Sequence, residues 1–76
     1  MNDKRRKRLS EASALLSRAS DIISDVLDEE QDCLDNMPEN LQYSDRYENM
    51  EAAVDRLNDA LSELDSAENS LLEARG

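Results

Sequence analysis

Apolar and small residues recur through the first half of the chain at Leu9, Ala12, Leu16, Ala19, Ile23, Val26 and Cys33, in alternating steps of three and four, with Glu30 in the remaining slot. Such steps keep one stripe of an α-helix turned toward a partner, so the spacing predicts a helix with a heptad seam. Leu15 and Ile22 flank that seam on one side, and Leu27 and Leu34 on the other. The apolar face is therefore wider than a two-stranded zipper needs and suits a bundle. Asn2 can cap the start, and the helix is expected from about residue 3 to about residue 35.

A second repeat is cleaner. Met50, Leu57, Leu64 and Leu71 stand seven apart, with Ala53, Ala60, Ala67 and Ala74 three residues after each, and Tyr47, Val54, Leu61 and Leu72 widen the face. This predicts a helix over about residues 45–74, with Ser44 as its cap and Asp45 at the positive end of its dipole. The alanine row allows close approach of another helix, toward the lower end of the roughly 8–10 Å range. Between the two repeats, residues 36–44 hold the only Pro, Pro38, among polar turn formers, so the first helix must stop there. The fixed φ of Pro38 suits the first turn of a new helical segment, over about residues 38–42. A connection this short makes the helices antiparallel. The expected fold is all-α, one domain over residues 1–76: an antiparallel, coiled-coil-like two-helix hairpin.

Composition sharpens this reading. The chain has 76 residues, 38% of them hydrophobic and only two aromatic, which is little material for a core. Two helices sharing one seam leave flanking apolar rows in water, so self-association is expected, most simply as a dimer closing a four-helix bundle, with larger assemblies also open. The oligomer seam is assigned to Leu16, Ile23, Val26, Met50, Leu57, Leu64 and Leu71. One Cys and no His exclude an internal disulfide and the Cys/His spacings of zinc, haem or iron–sulfur sites. Neither a cofactor nor a metal is expected, and a cytoplasmic setting is the default. No apolar run follows the basic start, so neither a signal peptide nor a membrane segment is expected.

Charge is unevenly placed. The net charge is −10, yet Lys4, Arg5, Arg6, Lys7 and Arg8 are five consecutive bases. Antiparallel pairing should lay them beside Glu63, Asp65, Glu68 and Glu73, relieving the cost of cations at a helix N-terminus. The basic arm is a candidate for nucleic acid or phosphate, although no aromatic residue stands among its bases to stack on nucleobases. Duplex binding by the acidic body is not expected.

Catalysis finds no support, since acid–base work at neutral pH usually recruits His. Cys33, at a seam position, is expected as a packed core residue. The cluster Asp28, Glu29, Glu30, Asp32 and Asp35 offers oxygen ligands but lacks the spacing and turn glycine of an EF-hand; a solvated acidic face is expected. Asp35 to Tyr47 is the richest segment, and Asn36, Pro38, Asn40, Gln42, Tyr43, Arg46 and Tyr47 form the candidate site for a ligand or partner. The amides would supply hydrogen bonds, Arg46 a charge for phosphate or carboxylate, and the tyrosines a stacking surface. The same residues also suit caps and end-packing, with Asn36 and Ser44 as caps and Leu41 and Tyr47 closing the bundle end.

The run Glu29-Glu30-Gln31-Asp32, then Asp35-Asn36-Met37-Pro38-Glu39-Asn40-Leu41-Gln42 and Ser44-Asp45-Arg46-Tyr47-Glu48, resembles a segment of short helical proteins of Firmicutes genomes and their phages. The likeness covers the middle third of the chain. The group carries no established activity, so no site residue is transferred from it; the resemblance implies a bacterial or phage setting. The functional expectation is a non-enzymatic, phage or mobile-element binding protein that inhibits a bacterial defence component stoichiometrically. Two routes are open: acidic mimicry of nucleic acid toward a host protein such as a CRISPR nuclease, or capture of a small anionic ligand such as a signalling nucleotide. The alternative is a purely structural bundle subunit or coiled-coil adaptor.

Overall fold

The computed structural model describes all 76 residues as helix α1 (Asp3–Asp35), a short 3-10 turn (Glu39–Leu41) and helix α2 (Asp45–Ala74). The helices pack against each other in an antiparallel hairpin whose Cα extents are 59 × 15 × 13 Å. The fold class read from the seam spacing is the one observed.

Each end is fixed by local chemistry. The Asn2 side chain accepts from the Arg5 N–H at 2.9 Å and closes the first turn of α1. At the other end, the Asn36 amide donates to the Asp32 carbonyl at 2.7 Å, alongside its own backbone N–H at 3.1 Å. Two donors on one carbonyl stop α1 without any left-handed residue, and Gly76 alone has positive φ. Pro38, at φ −58° and ψ 146°, opens the 3-10 turn as its N-cap. Ser44 then caps α2, accepting from the Tyr47 N–H at 3.3 Å.

The interior is thin, because two helices share a single line of contact. Val54, 7% exposed, is the one residue that solvent barely reaches. Along α1 Leu9, Ala12, Leu16, Ala19, Ile23 and Glu30 are half-buried, with Ser13, Ser20, Leu27, Gln31 and Leu34 on the adjoining line; Val26 and Cys33 are exposed. Within the hairpin, Leu27 and Leu34 thus stand on the contact line where the heptad placed Val26 and Cys33, and Cys33 is not a packed core residue. Leu9, Leu16, Ile23 and Glu30 anchor either of two heptad choices, one continuing through Val26 and Cys33, the other through Leu27 and Leu34. Near the turn the larger leucines take the contact, since each extra methylene removed from water contributes ~0.8 kcal/mol. On α2 the seam runs Tyr47, Met50, Val54, Leu57, Leu61, Leu64, Glu68 and Leu71 in unbroken steps of three and four. Glu68 is the exception to its chemistry: its Oε1 is buried without a hydrogen-bond partner.

At the open end of the hairpin the clasp differs from the expected ion pairs. The five bases make no salt bridge to α2; Arg6 pairs with Asp3 on its own helix at 3.1 Å. What crosses between the helices is Arg6 Nε donating to the Arg75 carbonyl at 3.0 Å, and the Arg75 guanidinium donating to the Ser10 hydroxyl. An unsatisfied carbonyl at the end of α2 thus recruits the guanidinium that the N-terminal turn supplies.

Candidate functional site

The hairpin has two unlike sides, and the chain order tells them apart. On α1 the residues immediately before seam positions are Arg8, Leu15, Ile22, Val26, Glu29 and Cys33. On α2 the residues in the same relation to the seam include Ala53, Arg56, Ala60, Glu63 and Ala67. In an antiparallel pair of right-handed helices, positions offset in the same sense from the facing lines open onto the same side of the pair. These two rows therefore form one surface: Leu15, Ile22, Val26 and Cys33 of α1 beside Ala53, Ala60 and Ala67 of α2, with the charges of Arg8, Glu29, Arg56 and Glu63 set among them. Leu15 is 66% exposed and Ile22 60% exposed.

The residues immediately after seam positions form the opposite side, and they are polar. They include Ser10, Ser17, Ser24 and Asp28 on α1, and Glu51, Asp55, Asn58, Ser62, Asp65 and Asn69 on α2, with exposed Leu72 near the end as the apolar exception. Scattered apolar residues on a small protein need no account, but Leu15, Ile22 and Val26 in succession along one side of a helix do. Sequence reasoning had Leu15 and Ile22 as flanks of the seam. The signal it passed over was their alignment with Val26 and Cys33, and with the alanines, each one residue before a seam position.

A second asymmetry runs lengthwise. Residues 21–59, the half that holds the turn, carry 13 acids against Arg46 and Arg56. All these acids except half-buried Glu30 are exposed, and the one ion pair among them joins Arg56 to Asp59 at 3.7 Å. The remaining half carries seven bases and six acids and is close to neutral.

The turn residues separate into groups. Asn36 and Gln42 are engaged with backbone, Asn36 at the Asp32 carbonyl and Gln42 at the Met37 carbonyl, 3.4 Å away. Asn40, Gln42 and Tyr43 border a shallow open depression with Glu39, and Tyr43 is 92% exposed. Arg46 and Tyr47 do not line it; Arg46 is exposed on the first turn of α2 and Tyr47 is half-buried in the seam. Pro38 opens the 3-10 turn. At the other end, Arg5 and Arg8 border a second depression with Met1 and Leu9, while Lys4 and Lys7 are exposed beside it. The assigned seam residues Leu16, Ile23, Met50, Leu57, Leu64 and Leu71 are half-buried, and Val26 stands outside with Leu15 and Ile22.

No protein-family model, curated protein or solved structure matches this chain. No helix is long and apolar enough to cross a membrane. No group of three or more Cys, Asp or Glu side chains is placed to hold a metal ion.

Proposed function

We propose that the chain is a non-enzymatic binding protein of a bacterial or phage setting, whose acidic turn half engages a basic surface on a host defence protein in place of nucleic acid. The observation that carries this reading is the excess of 11 negative charges on residues 21–59, exposed and almost unpaired. That half spans roughly 30 Å of the hairpin, giving about 0.4 charges per Å against about 0.6 for duplex DNA, a density close enough to compete for a groove lined with Lys and Arg. The same field disfavours a phosphate-bearing ligand at the turn, where Glu39 borders the depression and the Asn36 and Gln42 amides already have partners.

A guide-loaded CRISPR nuclease is the first probe. The chain should lower its DNA occupancy at near-stoichiometric amounts, and the effect should fade at high salt and in an Asp28→Asn, Glu29→Gln, Asp32→Asn variant. An unaltered DNA occupancy removes the nuclease as target. Inhibition that survives both salt and neutralisation removes mimicry.

The exposed apolar row favours a second reading, a purely structural bundle subunit. It predicts that Asn40→Ala and Arg46→Ala are silent, and that Leu57→Asp or Leu64→Asp abolishes assembly.

A further inference from the structure

The apolar side of the hairpin is self-complementary in one orientation. Helix α1 runs from Asp3 to Asp35 and has its midpoint at Ala19; α2 runs from Asp45 to Ala74 and has its midpoint beside Ala60. The Arg6–Arg75 clasp sets the register of the two helices and places Ala19 and Ala60 level to within about 3 Å along the axis. We propose that a second copy of this chain packs on this side, inverted end for end about a two-fold axis crossing the hairpin at Ala19 and Ala60.

Three matches support that orientation. Turning α1 over about Ala19 brings Leu15 within a residue of Ile22 of the second copy and Ala12 level with its Val26, so each bulky residue meets a neighbour of the apolar row or a small one. Turning α2 over about Ala60 lays Ala53 against Ala67, and the alanine lanes let the two axes close in. The charges invert with them. Arg8 comes within a residue of exposed Glu29 of the second copy, and Arg56 within a residue of its Glu63. The basic start of each hairpin then lies over the acid-rich turn half of the other.

The competing two-fold runs along the helices and sets turn on turn. It stacks two segments that each carry 13 acids against two bases, and it offers their charges no counterpart. Charge thus selects between two arrangements that bury the same apolar row. The assembly draws on the same charges as the target proposed above, since Glu29 lies on the covered side and the basic start of one copy overlies the acidic half of the other; the opposite side, with Glu51, Asp55 and Asp65, stays open.

Sedimentation equilibrium of the full chain should give twice 8.6 kDa at high micromolar concentration, and a monomer there overturns the proposal. Ile22→Asp should give a monomer that keeps its helical circular dichroism, since Ile22 is exposed in the hairpin. A dimer unaffected by that change overturns the choice of face. Orientation is read from a spin label on the single cysteine: the inverted dimer separates the two Cys33 labels by about 40 Å, whereas turn-on-turn packing holds them under about 20 Å. A short distance overturns the inverted arrangement. Arg56→Glu should raise the dimer dissociation constant about ten-fold, two pairs being reversed at once, and adding Glu63→Arg should restore it. No rescue by the double change overturns the register.

Discussion

Ser44 joins the two halves of the turn through one hydroxyl: its Oγ accepts from the Tyr47 N–H at 3.3 Å and donates to the Leu41 carbonyl at 2.6 Å. The same side chain starts α2 and ends the 3-10 turn, so it sets the direction in which the chain returns. Replacing it with Ala removes both bonds, and Ser44→Ala should cost about 1 kcal/mol, read from urea unfolding followed by circular dichroism. Ser44→Asp, which keeps the cap acceptor and loses the donor, should recover part of that loss.

The corrected seam has a direct test. Leu27 is half-buried where Cys33 is exposed, so Leu27→Ala should lower stability by about 1–2 kcal/mol and Cys33→Ala by no more than about 0.5 kcal/mol. Equal effects would restore the seam through Val26 and Cys33.

Val54 lies in the turn-side half of the α2 seam and is the most enclosed residue of the molecule. Val54→Ala removes two methyl groups from that contact and should cost about 1.5–2 kcal/mol, a large share of what so thin an interior supplies. A thermal midpoint unchanged by this substitution would mean that the two helices do not pack as described.

Glu68 occupies a seam position with a buried, unpartnered carboxylate oxygen. Glu68→Leu exchanges that desolvated oxygen for apolar contact in a row that already reads Val54, Leu61, and should raise stability by about 1–2 kcal/mol in thermal melts. Loss of stability would show that Glu68 has a partner in solution.

Acids crowd the turn half with little pairing, so added salt should stabilise it. In the Ile22→Asp variant, where association does not intervene, raising sodium chloride to high concentration should raise the melting temperature and slow amide exchange most in residues 21–59. Exchange that slows equally along both helices would point to a general solvent effect.

Much of the fold was legible in the sequence because it rests on local signals. Asn2 and Ser44 are cap residues in front of periodic apolar runs, Pro38 and its polar neighbours interrupt them, and no glycine or proline breaks either helix. The choice between Val26 and Leu27 was not legible, because both continue a heptad from Leu9, Leu16 and Ile23. Only the presence of α2 decides which row is covered. The Arg6–Arg75 and Arg75–Ser10 contacts were equally out of reach, since they join the two ends of the chain through a backbone carbonyl and a hydroxyl, neither of which leaves a sequence pattern. The candidate turn site read as one cluster from residue types; in three dimensions Asn36 and Gln42 serve the turn's own carbonyls, while Arg46 and Tyr47 diverge from the depression beside Tyr43.

The slender form of the hairpin, about four times as long as it is wide, carries into its behaviour in flow. A rod drags more solvent than a sphere of equal mass, so a single copy should leave a sizing column early, at the position of a compact protein of considerably greater weight. An inverted pair laid side by side doubles the mass with little added length, and its frictional ratio should fall. Association of this chain would therefore register more clearly as a rounder particle than as an earlier peak.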